Sequence, residues 1–122
     1  MNPKDFSKAA LSKDMPGGDY SPIVARLEAD KGLLRLIHAG IGMSGEVGEI
    51  MDNLKKSMIY GKSLDTQNLK EECGDVLWYM AIMLDQLGSS FEEVMQINTD
   101  KLARRYPQGF TEQDALARKD KQ

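Results

Sequence analysis

The chain has one cysteine, one histidine, one tryptophan and no apolar run near the ~20 residues of a membrane span, and these shortages close off several functions before any motif is read. Cys73 has no partner for an internal disulfide. Its place between two acidic residues turns it to the opposite side of a helix, where it reads as a small buried hydrophobe in a reducing compartment. His38 has no acid three residues before it, so a di-iron bundle built on Glu-x-x-His lacks its ligands. Basic residues are also short: 16 Lys and Arg face 19 Asp and Glu, for a net charge of -3 and a pI of about 5.2. That balance leaves no general electrostatic footprint for nucleic acid. No signal-peptide core follows the opening MNPKDFSKAA, so the expected location is cytoplasmic, with no membrane partner. Alternating strand patterns, hairpin turn signals and solenoid-period repeats are absent too, which leaves an all-α fold.

What is present is helical patterning on the scale of one domain, residues 1–122, with a modest core. Residues 1–20 read as a polar, partly disordered arm punctuated by Pro16, Gly17 and Gly18. A short helix is predicted from Pro22, a long one from about Gly32 to Ile59, and a second long one from about Thr66 to Leu87. Ser90 with Glu93 opens a third, which Pro107 and Gly109 stop. Thr111 with Asp114 begins a last short helix in the tail, residues 111–122, whose Lys-rich end reads as solvated and frayed.

The chemistry lies in two acidic pairs, Glu46 with Glu49 and Glu72 with Asp75. Residues three apart share a helix face, so each pair aims two carboxylates one way. The connection around Tyr60, Gly61, Lys62 and Ser63 is short, which makes the two long helices antiparallel neighbours. At about 1.5 Å per residue, Glu49 stands roughly 15 Å before the turn and Glu72 to Asp75 roughly 10 to 14 Å after it. Both pairs therefore reach one level. Helix axes roughly 8 to 10 Å apart leave room for small hard cations between them, not for four unpaired negative charges. All-oxygen ligands select Mg²⁺, with Mn²⁺ able to substitute.

Helix context separates these acids from an ordinary solvated face. After Asp75 the chain runs Val76 to Leu84 without a polar side, so that helix is expected to be covered by a neighbour or another subunit. Acids entering a covered face need a partner. In the preceding helix Leu36, Met43, Val47, Ile50, Leu54 and Met58 form a core stripe opposite Glu49. Gly40, Gly42, Gly45 and Gly48 each cost roughly 1 kcal/mol relative to Ala, so close approach of a neighbour or ligand is expected to offset them, unless they break the helix near Gly40. Asn53 and Lys56 carry the acidic stripe towards the turn, where either reaches substrate, with Lys62 a further candidate; Tyr79, one turn past Asp75, is placed to touch a sugar or base. Trp78 reads as core or subunit interface, His38 as a satisfied polar group, and the methionines as adaptable filler.

In the third helix Asn98, Lys101 and Arg105 share one face beside a core stripe of Phe91, Met95, Leu102 and Tyr106. A Lys and an Arg suit polyphosphate, although cations near a helix C-terminus are also favoured by the helix dipole alone. GEVGEIMDNLKK, EECGDVLWYMAIML and NTDKLARRYPQGF, in that order over residues 33–110, resemble the MazG-type all-α nucleoside triphosphate pyrophosphohydrolases. The resemblance implies an antiparallel helical bundle completed by oligomerisation into a homodimer or homotetramer. It implies hydrolysis of a (deoxy)nucleoside triphosphate to the monophosphate and pyrophosphate, with Glu46, Glu49, Glu72 and Asp75 holding Mg²⁺ and Asn98, Lys101 and Arg105 holding phosphates. The competing readings are a non-enzymatic helical adaptor and a bundle carboxylate metal protein of other chemistry. An adaptor would account for the apolar faces and leave the acidic pairs unexplained.

Overall fold

The computed structural model describes residues 1–121, and every regular element among them is helical. The chain divides into two compact units, residues 1–34 and 35–122.

Residues 1–20, expected to be a polar, partly disordered arm, carry a helix, and the short helix expected from Pro22 is present. A helix, α1, spans Pro3–Leu11, because Asn2 accepts a hydrogen bond from the Asp5 amide at 2.9 Å and Pro3 pre-sets the first helical turn. A 3₁₀ turn, Pro16–Gly18, then follows, and α2 spans Ser21–Ala29. The tight turn needs Gly17 and Gly18, both at positive φ.

The second unit carries the site. The helix that enters it, α3, runs Lys31–Tyr60 without a break, so the glycines do not interrupt it at Gly40. It ends on Gly61, whose φ of 65° places it in the left-handed region while its amide donates to the Ser57 carbonyl at 3.1 Å. After a five-residue connection α4 spans Thr66–Gln86. Asp65 caps it by accepting from the Asn68 amide at 3.0 Å.

Three contacts fix α3 and α4 as antiparallel neighbours. Arg35 Nη1 donates to Asp85 at 2.7 Å at one end, Asn53 Nδ2 donates to the Asp65 carbonyl at 3.3 Å at the other, and Gly42 faces Tyr79 between them. The Arg35–Asp85 pair is exposed and contributes at most about 1 kcal/mol; its value here is the register it records. That register sets Glu46 opposite Asp75 and Glu49 opposite Glu72.

Of Gly40, Gly42, Gly45 and Gly48, only Gly42 has the close neighbour that was expected. A Cβ there would stand 2.4 to 2.5 Å from the Tyr79 ring, whereas at Gly40, Gly45 and Gly48 it would meet nothing within 4 Å. Opposite signs follow for two formally identical substitutions. Gly42→Ala should destabilise by about 1–3 kcal/mol through overpacking, and Gly45→Ala should stabilise by up to about 1 kcal/mol through helix propensity. Urea unfolding of both variants checks this, and equal effects would contradict it.

Helix α5, Phe91–Arg105, is capped by Ser90, which accepts from the Glu93 amide at 3.1 Å. It packs against the C-terminal segment: α6, Glu112–Ala117, capped by Thr111, and a closing 3₁₀ turn, Lys119–Lys121. The expected frayed end is instead tied down, with the Asp120 side chain only 1% exposed and 3.8 Å from Arg105 Nε. The position of Gln122 lies outside the described residues.

Among the described residues only Ala39 and Leu84 are buried apolar side chains. The stripe expected to be core on α3 is half covered at Leu36, Met43 and Ile50 and open at Val47, Leu54 and Met58. On α4, Leu77 and Trp78 are exposed, and Cys73, expected to be buried, is exposed as well. The sequence pattern identified the apolar faces correctly; what it could not show is that the chain does not cover them itself.

Candidate metal centre

Glu46 and Glu49 leave α3 one turn apart, and Glu72 and Asp75 leave the facing turn of α4. One carboxylate oxygen each from Glu46, Glu72 and Asp75 lie within 4.8 Å of one another. Glu49 is exposed and stands outside that trio, beside Glu72 in the wall of an adjoining cleft.

Glu72 is the centre of the cluster and only 8% exposed. Its Oε2 and that of Glu46 are shielded from solvent without a hydrogen-bond partner. Burying a charged oxygen with nothing to compensate it is costly, so the pair calls for a proton or a cation. A proton answers that demand: hydrogen bonding with Glu46, then burial, then Glu49 push the Glu72 carboxyl from 4.5 up to about 7. Convergent hard oxygens, two of them unsatisfied, fit a divalent cation such as Mg²⁺ or Mn²⁺.

A pH dependence follows. Between about 4.5 and about 7 the folded chain holds a proton on Glu72 that the unfolded chain has released, so raising the pH through this window lowers metal-free stability. Metal binding requires the deprotonated carboxylate and reverses the loss. The Mg²⁺-induced rise in Tm should therefore be larger at about pH 8 than at about pH 5.5, and Glu72→Gln should flatten the metal-free slope. Scanning fluorimetry at both values tests it; an equal shift at both would contradict it.

Two clefts flank the acids. Towards the α3–α4 turn, a cleft of about 510 Å³ is lined by Glu49, Asp52, Asn53, Lys56, Lys62, Ser63, Asp65, Asn68 and Glu72. Away from the turn, one of about 370 Å³ is lined by Glu46, Asp75, Trp78 and Tyr79. Asn53 and Lys56 thus stand beside the acids, although Lys56 is paired with Asp52 at 2.8 Å and Asn53 with the Asp65 carbonyl. Tyr79 also meets His38 edge-on, with ring centroids 6.3 Å apart, and His38 is otherwise exposed.

No described contact joins the α5 residues to the carboxylates. Asn98 is exposed and Lys101 half-buried. Arg105 is engaged by its own C-terminal segment, donating to the Ala115 carbonyl at 3.3 Å and facing Asp120, with the guanidinium 5.4 Å from the Tyr106 ring. Sequence reasoning passed over Ser63 and Asn68. The missed signal was the spacing of Asn68, one turn before Glu72 on the same stripe.

The family model for the MazG nucleotide pyrophosphohydrolase domain matches residues 40–110, which include both acidic pairs and all of α5. The chain is 36% identical over 78 residues to the Gene 37 protein of Mycobacterium phage L5, covering 61% of this chain and 68% of that one. It is also 36% identical over 61 residues to Uncharacterized protein YvdC of Bacillus subtilis (strain 168), covering 50% of this chain and 55% of that one. No solved structure matches. Among the described residues no helix is long and apolar enough to cross a membrane.

Proposed function

Because the chain belongs to the MazG nucleotide pyrophosphohydrolase family, we propose that it hydrolyses a (deoxy)nucleoside triphosphate to the monophosphate and pyrophosphate in the presence of Mg²⁺. The observation that carries this reading is the oxygen trio of Glu46, Glu72 and Asp75 with its two unsatisfied buried atoms. Glu46, Glu72 and Asp75, with Glu49 alongside, would hold Mg²⁺, which would supply charge neutralisation and Lewis acidity toward the phosphates. Glu49 accepts a hydrogen bond from the attacking water and aligns it on the α-phosphorus; its exposure leaves it free for that task. The water oxygen bonds to the α-phosphorus as its proton passes to Glu49, while the bond from the α-phosphorus to its bridging oxygen breaks and the electron pair leaves with pyrophosphate. Cationic side chains stabilise that departing charge. Asn98, Lys101 and Arg105 are assigned to phosphate contact on the strength of the resemblance and their shared face; for Arg105 this means exchanging Asp120 for substrate.

The single domain acts as a homodimer or homotetramer in the cytoplasm, in which a second copy covers the open stripe of Val47, Met51, Leu54 and Met58. Support for assembly comes from the scarcity of buried apolar side chains. A panel of ribo- and deoxyribonucleoside triphosphates with Mg²⁺, resolved by chromatography, tests the activity. Monophosphate and pyrophosphate are expected, and diphosphate with orthophosphate would assign the wrong bond.

A further inference from the structure

One stripe of α4 carries an amide, two carboxylates and a phenol in sequence: Asn68, Glu72, Asp75 and Tyr79, each about one turn from the next. The opposing stripe of α3 presents Asn53, Glu49, Glu46 and finally Gly42, whose missing side chain lets the Tyr79 ring lie against the helix. The carboxylates thus stand between two clefts of different chemistry.

In the cleft towards the turn several charges are already committed. Asp52 is neutralised by Lys56 at 2.8 Å and Lys55 at 3.4 Å, Asp65 caps α4, and Asn53 bonds the Asp65 carbonyl. Beyond Glu49 and Glu72, which belong to the acidic cluster, what remains is a set of side-chain donors: the Lys62 ammonium, the Ser63 hydroxyl and the Asn68 carboxamide, whose side chains have no partner among the described residues. Donors of that kind suit phosphate oxygens. The opposite cleft offers no cation. It offers the Trp78 indole, 71% exposed, and Tyr79, surfaces on which a base stacks.

Resting on the triphosphate reading above, we infer that the substrate lies along these stripes in one direction, with its nucleoside against Trp78 and Tyr79 and its β- and γ-phosphates on Lys62, Ser63 and Asn68. The α-phosphorus then falls at the carboxylates, and the leaving pyrophosphate is already in the cleft towards the turn. Lys62 and Asn68 are accordingly binding residues for the leaving group, independent of the cations on α5.

The chain's single tryptophan makes the direction measurable. Inorganic tripolyphosphate and a nucleoside monophosphate, each with Mg²⁺, are the probes. The monophosphate should quench Trp78 fluorescence and tripolyphosphate should leave it unchanged. By calorimetry, Lys62→Ala and Asn68→Ala should each weaken tripolyphosphate about tenfold, the loss typical of a charge-assisted hydrogen bond, with monophosphate affinity altered less than about twofold. Lys62 is exposed in the connection, so its variant tests the site without burdening the fold. Quenching by tripolyphosphate alone, unchanged tripolyphosphate affinity in both variants, or no binding by the native chain would overturn the assignment. Turnover is scored separately: hydrolysis with a reversed binding pattern removes only the direction, and the expected pattern without monophosphate and pyrophosphate formation removes only the hydrolase reading.

Discussion

Glu72→Gln is expected to abolish turnover and the Mg²⁺-dependent rise in Tm together, while raising the Tm of the metal-free protein near pH 8. The neutral amide preserves shape and removes the carboxyl that hydrogen bonding with Glu46, then burial, push up to about 7, so no charge is left buried there at about pH 8. The same change deletes the central oxygen ligand of the trio. Glu49→Gln should behave differently. Glu49 stands outside the trio, so the variant should keep most of the Mg²⁺ shift and still lose roughly 10²- to 10⁴-fold in kcat, the range for a positioned acid–base group. Pyrophosphate release and scanning fluorimetry on the two variants separate holding the metal from aligning the water. Retention of the full Mg²⁺ shift by Glu72→Gln would remove that residue from the metal centre.

The other large effect is expected far from the acids, at Met51→Asp. On an isolated chain Met51 is 58% exposed, and a surface substitution there should change stability by no more than about 0.5 kcal/mol. If a second copy covers the stripe, the same carboxylate is taken out of water without a partner, at a cost of several kcal/mol. Dissociation to monomer with a large drop in Tm is therefore expected, read by sedimentation and thermal unfolding. An unchanged mass and Tm would mean that this stripe faces solvent in the working protein.

Much of this arrangement was legible in the sequence because it rests on local rules. Helix caps at Asp65, Ser90 and Thr111 are written in short-range residue choices, and the acidic pairs meet because a short connection forces the register. The errors were of two kinds. Polar composition was read as disorder at the amino terminus, although Asn2 and Pro3 together spell a helix start. Burial was inferred from apolarity at Val47 and Leu54, where covering requires a surface outside the single chain, and from its place between two acids at Cys73, which is exposed. The engagement of Arg105 by Asp120 was illegible for a third reason: it pairs a helix end with a turn beyond two intervening breaks, and no periodicity links them.

The open thiol of Cys73 turns that misjudged burial into an advantage. A chain with one reachable sulfhydryl accepts a single fluorophore or nitroxide without any engineering, one residue from Glu72 on α4. Such a label would sense the charge state of the neighbouring carboxylate through its emission, and pairs of nitroxides on associated copies would yield their spacing from dipolar coupling. The residue that contributes least to the chemistry is thus the natural vantage point from which to watch it.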